Sequence, residues 1–155
     1  MNTITDPTGS ELRAPSARAH RLSAFLRSRT LFYAGAAAVT FVFWWSGVTK
    51  LWDFAGAQAE MTQFGLNPPA FFALATIALQ LGGSALVIFG GRYAWLGAGL
   101  LAVFTLATIP LAHHFWNMNG DVAFLEKTIA QEHIALIGGL VLAAMLADLR
   151  SEHPL

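Results

Sequence analysis

The stretch TIAQEHIALIGGLVLAAMLADLR, residues 128–150, decides how the rest of the sequence is read. Its uninterrupted apolar run, Ile134 to Ala147, is only fourteen residues long. A helix needs about 20 residues, at 1.5 Å each, to cross roughly 30 Å of hydrocarbon. A crossing helix must therefore reach back past His133 and Glu132, which brings an imidazole and a carboxylate inside the membrane boundary. Run from Thr128 to Asp148, the helix has the required length, and Glu132 lies about one turn inside its outer end. Ala135, Gly139, Ala143 and Ala147 recur every four residues, a small-residue stripe of the kind that packs helices closely in lipid. Glu132 stands three residues before Ala135 and seven before Gly139. This spacing predicts that Glu132 shares the packed face and points inward. His133 is turned about 100° away, toward the loop or a neighbouring helix.

The whole composition agrees with a membrane protein. Of 155 residues, 55% are hydrophobic and 12% charged, against about 25% charged in a typical soluble domain. Mean hydropathy is +0.54. Residues 1–29 carry seven acidic or basic side chains, and residues 30–147, about four times as many positions, carry eight. A net charge of zero offers no field for nucleic acid, so no such partner is expected. With no cysteine, the chain cannot supply disulfides, thiol relays, cysteine-ligated zinc or iron–sulfur clusters.

The predicted architecture is all-α, an integral membrane four-helix bundle. Residues 1–29 read as a basic, largely disordered cytoplasmic tail. Within it Leu22, Phe25 and Leu26 share a helical face beside Arg18, Arg21, Arg27 and Arg29, which suits either a solvated flank or a short helix lying on an anionic leaflet. The bundle covers residues 30–148, with spans at 30–51, 70–89, 94–115 and 128–148. A cytoplasmic tail, 149–155, follows. The connector after the first span suits a short surface helix ended by Gly65 and Pro68-Pro69. Pro110 is expected to free the Leu106 carbonyl and bend the third span, and residues 116–127 read as a polar loop. Seven of the nine Lys and Arg residues fall on one side of such a bundle. Arg13, Arg18, Arg21, Arg27, Arg29, Arg92 and Arg150 lie there, with Lys50 and Lys127 opposite. The positive-inside rule then places both termini in the cytoplasm. Trp52 and Trp116 fall at the outer interface, and Tyr33, Tyr93 and Trp95 at the inner one.

Ionisable groups collect at the outer level. Lys50 ends the first span on a face with Gly47, Phe43 and Thr40, while His113 and His114 end the third. Glu132 and His133 open the fourth. Deeper, Thr76, Gln80, Gly83 and Ser84 form a polar line on the second span, and an unpaired amide in hydrocarbon is costly enough to turn Gln80 inward. The expected site is a polar pocket of Lys50, Gln80, His113, His114, Glu132 and His133, open to the outside and floored near Gln80. Each member also has a structural role to offer. Lysine snorkels, helix ends attract charge, and glutamine joins helices. Adjacent histidines on a helix diverge, and no HExxH-like spacing occurs, so no metal site is assigned.

Several stretches resemble a known family. SGVTKLWDFAGAQAEMTQFGLNPP (46–69), LQLGGSALVIFGGRYAWLGAGLLAVFTL (79–106), HHFWN (113–117) and IALIGGL (134–140) are similar to the DoxX family of small bacterial four-helix membrane proteins. The likeness covers about residues 30–147. It rests on a Ser-Gly-x-x-Lys-Leu helix end, a connector closing in Gly-x-x-Pro, a Gly-Gly in the second span and a His-Phe ending the third. The resemblance implies a multi-pass protein of the inner (cytoplasmic) membrane and, in some members, association with redox systems. Lys50 takes the place of the family's first-helix lysine, and His114-Phe115 that of its histidine–aromatic pair. Many relatives carry glutamate where Gln80 stands and Lys-Asn where Glu132-His133 stands. Gln80 cannot shuttle a proton.

These features lead to an accessory or quinone-interacting membrane subunit of a redox or oxidative-stress system. A quinone headgroup could sit in the polar pocket, beside Trp44, Trp45 and Phe115. No motif fixes a cofactor, and whether the chain is itself an enzyme stays open. The partners expected are membrane lipids, a redox-enzyme subunit and further copies of the chain. An oligomeric small-solute transporter or channel, or a non-catalytic scaffold, are the alternatives.

Overall fold

The computed structural model describes residues 17–152. The expectation of disorder in residues 1–16, and the last residues of the C-terminal tail, 153–155, lie outside that range. Among the described residues every regular element is helical. The chain divides into an N-terminal unit, residues 1–32, and a larger unit, residues 33–155. In the N-terminal unit, α1 (Ala17–Leu26) leaves Leu22, Phe25 and Leu26 exposed. Ser28 then caps the next helix, its Oγ accepting the Leu31 N–H at 3.2 Å.

The first predicted span is broken rather than continuous. Helices α2 (Arg29–Val39) and α3 (Phe41–Trp52) meet at Thr40 with a bend of 61°. No proline or glycine causes it. Thr40 is fully buried, and its Oγ1 donates to the Ala36 carbonyl at 2.7 Å, the same oxygen its backbone N–H reaches at 3.1 Å. One turn on, the Trp44 indole N–H reaches back to the Ala37 carbonyl at 3.0 Å. The Thr40 hydroxyl thus doubles a helical bond, a back-bonding that bends helices, and the Trp44 indole supplies a donor to a carbonyl at the break, which is what lets a helix break survive in apolar surroundings.

Asp53 ends α3 and starts α4 (Phe54–Gln63), its Oδ1 accepting the Gly56 N–H at 2.9 Å. The expected stop at Gly65 is observed. Gly65 takes φ +72°, and the Leu66 and Gly65 N–H groups close on the Met61 and Thr62 carbonyls, both at 2.9 Å. This is the paired C-terminal closure that glycine permits. It folds Leu66 against Ala57, Met61 and Ala73, tying α4 to the start of α5 (Pro69–Phe89).

A tight turn containing Gly91–Tyr93 leads into α6 (Ala94–Ala112), which continues past Pro110 and ends two residues later. A second short turn, Phe115–Asn117, precedes α7 (Gly120–Glu152). The polar loop expected over 116–127 is thus helical from Gly120, and the helix also outruns its predicted end at Asp148. Gly120 at φ +66° breaks the loop, and Asp121 in the first turn suits the positive helix end. Three segments are long and apolar enough to cross a membrane, 69–89, 91–117 and 120–151, with α2 and α3 together a candidate fourth.

In the larger unit α5 packs against α3, α4 and α6, and α6 packs against α7. Small residues set the close approaches. A Cβ on Gly47 would lie 2.7 Å from Leu81 Cγ, one on Gly83 2.8 Å from Leu101 Cγ, and one on Gly97 2.5 Å from the Gly83 carbonyl oxygen. Backbone cannot move aside as a side chain can. Gly97→Ala is therefore expected to cost about 1–3 kcal/mol of stability. Gly138→Ala, where nothing lies within 4 Å, should be neutral or slightly stabilising. Thermal unfolding of the two variants in detergent checks the contrast.

Candidate functional site

A cavity of about 350 Å³ lies between α3, α5, α6 and α7, with α4 across one side. Its position follows from the elements just described. Thr40, Phe43 and Gly47 form the buried face of α2–α3, so Ser46 and Lys50 reach the cavity edge from the same helix. The closure at Gly65 brings Met61, Phe64 and Leu66 over it, with Glu60 alongside. Thr76 and Gln80 enter from α5, Phe104, Thr105 and Thr108 from α6, with His113 just past its end, and His133 and Leu136 from α7.

The charges at this rim are paired. Lys50 Nζ lies 2.7 Å from Glu60 Oε2 and donates to Ser46 Oγ at 3.3 Å. His113 Nδ1 lies 2.6 Å from Glu126 Oε2, both side chains being about four-fifths buried at 19% and 22% exposure. His133 Nδ1 lies 2.8 Å from the Ile129 carbonyl oxygen, and its ring meets that of His113 edge to face at 4.8 Å. A carbonyl only accepts, so His133 carries hydrogen on Nδ1, and its Nε2 is the acceptor of the neutral ring. An ionised Glu126 imposes the same arrangement on His113. Among the described residues no three or more His, Asp or Glu side chains are arranged to hold a metal ion.

Deeper in, the buried polar groups fall into two kinds. Thr40, Ser84 and Thr105 each donate to the carbonyl four residues earlier, all at 2.7 Å. Gln80 differs. It is 5% exposed, and its Oε1 has no hydrogen-bond partner.

The structure brings four of the six predicted site residues to the cavity, Lys50, Gln80, His113 and His133. His114 is half-buried but does not line it. Glu132 is exposed, contrary to the expectation that it points inward. The error is one of helical phase. A four-residue repeat drifts about 40° per step around an α-helix, so extrapolating Ala147, Ala143, Gly139 and Ala135 backwards rotates off the packed face. The face that is covered alternates steps of three and four, through Ala147, Ala144, Leu140, Ile137, His133, Ala130 and Glu126. It passes through His133 and misses Glu132. The same series would have found Glu126, and the stripe of Ala57 and Met61 on α4 would have found its neighbour Glu60. Reading both carboxylates as solvent-exposed connector or loop residues hid them.

A family model described as DoxX matches residues 31–114, more than half of the chain. The chain belongs to the DoxX family. It is similar to the inner membrane protein YphA of Escherichia coli (strain K12), at 26% identity over 108 residues, which is 70% of this chain and 76% of that protein. No solved structure is a significant match. This DoxX protein is accordingly a multi-pass protein of the inner membrane. The matched stretch ends at His114, so His133 at the cavity, and Glu126 against His113, come from a helix outside it.

If His113 and Glu126 support one another as placed, His113→Phe and Glu126→Gln should be non-additive. The expected coupling is about 0.5–3 kcal/mol in a double-mutant cycle of thermal or denaturant unfolding.

Proposed function

We propose that this DoxX-family protein is an accessory membrane subunit of a redox or oxidative-stress system, and that its cavity holds a quinone-class headgroup. The observation that carries this reading is the buried Gln80 oxygen, unpartnered, on a side chain at the wall of a cavity where Phe43, Met61, Phe64, Leu66, Phe104 and Leu136 supply apolar surface. Small-molecule sites pair such apolar walls with a few convergent polar groups, and at about 350 Å³ this cavity falls at the low end of their roughly 300–1,000 Å³ range. Phe43 and Phe104, with ring centroids 6.4 Å apart, offer a face for a flat ring, and His113 and His133 offer polar atoms opposite. Trp44 and Trp45 play no part in the reading, since the Trp44 indole N–H serves the helix break.

The break at Thr40 is the feature that would favour transport, because transporters bind ions at discontinuous helices. There, however, unwound carbonyls face the solute. Here the Ala37 carbonyl accepts the chain's own Trp44 indole N–H and the Thr40 hydroxyl turns back onto Ala36, which leaves the binding reading ahead.

On the same reading α2 and α3 form one bent span of a four-helix bundle with both termini cytoplasmic, and the basic face of α1 lies on the inner leaflet. Because the chain has no cysteine, single cysteines report topology without background. Lys127→Cys should label only from outside and Ser151→Cys only from the cytoplasm, in intact cells against inverted vesicles. Labelling of both from one side would overturn the topology. For the ligand, native mass spectrometry of protein extracted from its own membrane should show a quinone-class adduct. Absence of the adduct, together with no thermal shift on adding quinone or quinol, would sink the proposal.

A further inference from the structure

The last helix carries polar groups that its own bundle leaves uncovered. Of the apolar stretch of α7, 11% is buried within the chain, against 33% for α5 and 28% for the segment 91–117. About 150° round the helix from the covered side, Gln131, Ala135, Gly138, Leu142, Met145 and Leu149 are all exposed and follow one another at alternating steps of four and three. That alternation is the seam along which two helices pack side by side. Lys127 and Glu132 flank the seam, one on each side. Both are exposed, and among the described residues neither takes part in an ion pair. They cannot meet on one helix, where a separation of five residues turns them about 140° apart. With Asp148 and Arg150 at the inner end, a crossing of about 20 residues puts Glu132 about one turn inside the outer end. An uncompensated carboxylate facing lipid there is costly.

We infer that a second copy of this chain covers this face, the two α7 helices lying parallel with Lys127 of each opposite Glu132 of the other. Two copies in one membrane share an orientation, so a two-fold axis along the membrane normal makes the helices parallel. In a parallel pair, a residue flanking the seam on one helix faces the residue five positions later on the other. Lys127 and Glu132 stand at that interval, so the symmetric pair forms two ion pairs and leaves no charge over. Gln131, on the seam itself, meets its own counterpart, amide to amide. A different partner would have to offer an acid and a base at matching heights, which a second copy has by symmetry. The cavity plays no part, since His133 lines it from the covered side of α7.

Because the chain has no cysteine, single cysteines in the full chain report its neighbours in the native membrane. Under mild oxidation Ala135→Cys and Leu142→Cys, on the seam, should give disulfide-linked dimers, whereas Val103→Cys, exposed on α6, should remain monomeric on a denaturing gel. No crosslink at the seam overturns the dimer. Equal crosslinking at all three positions marks random encounters and overturns it as well. Charge reversals in the Ala135→Cys background test the pairing. Glu132→Lys sets lysine against Lys127, and Lys127→Glu sets carboxylate against Glu132, so each should weaken the dimer about tenfold or more. The two reversals together should restore it, which a merely structural role for either side chain does not predict. Single reversals without effect, or a double variant that stays monomeric, overturn the opposition of Lys127 and Glu132 and with it the parallel register.

Discussion

What the structure depends on is that a polar group in apolar surroundings must find a partner within the chain, because no solvent will supply one. The three buried hydroxyls obey this locally. Thr40, Ser84 and Thr105 turn back onto their own helices at the carbonyl four residues earlier. None of them bridges two helices. Cohesion between helices is left to shape, at the glycine contacts of α3 with α5 and of α5 with α6, where added Cβ atoms would lie within 3 Å of neighbouring atoms. The same rule makes the broken first span feasible, since Thr40 and Trp44 bring donors to the break from side chains rather than from water. Among the described residues, the unpaired buried oxygen of Gln80 stands out against so consistent a background.

The charged groups follow the same rule at the cavity rim. Polar contacts join neighbouring elements, α3 with α4 through the Lys50–Glu60 ion pair, and the end of α6 with α7 through the hydrogen bond between His113 and Glu126. Each ties neighbouring elements together, and the Lys50–Glu60 pair also cancels a charge beside the cavity. A string of unpaired charges would have suited a hydrated passage.

Much of this was legible in the sequence because it depends on apolar length and on residues whose local chemistry admits few alternatives. The 69–89 helix was readable to within a residue, Gly65 as a stop needed only its place before Pro68-Pro69, and Thr40, Phe43 and Gly47 declared a buried face by their spacing. The break at Thr40 was not legible, since its determinants are a threonine and a tryptophan rather than a proline or glycine, and both are common in unbroken spans. Nor were the partners Glu60 and Glu126. An acid in a connector looks solvated until the chain folds it over a cation, and that contact is tertiary. Glu132 and His133 show how fine the margin is. One residue of helical phase separates an exposed carboxylate from a cavity imidazole, and a stripe of small residues, read at a fixed interval, carries enough drift to exchange them.

Position 80 shows why the distinction between an amide and an acid matters. A carboxylate held as deeply as Gln80, without a cation near it, would be taken up as a protonated acid or would demand a counter-charge, because desolvating an unpaired charge costs several kcal/mol. Lys50, the cation at the cavity edge, already has Glu60 as its partner. An amide avoids the difficulty. It is neutral whatever the pH, it presents an acceptor without needing a counter-ion, and it carries no exchangeable charge to a ligand. Gln80 thus keeps a polar atom at this depth without the capacity to move a proton. Position 80 therefore offers hydrogen bonds without a charge, and the ionisable side chains of the lining, Lys50, Glu60, His113 and His133, stand apart from it, with Lys50 held by Glu60 and His113 by Glu126.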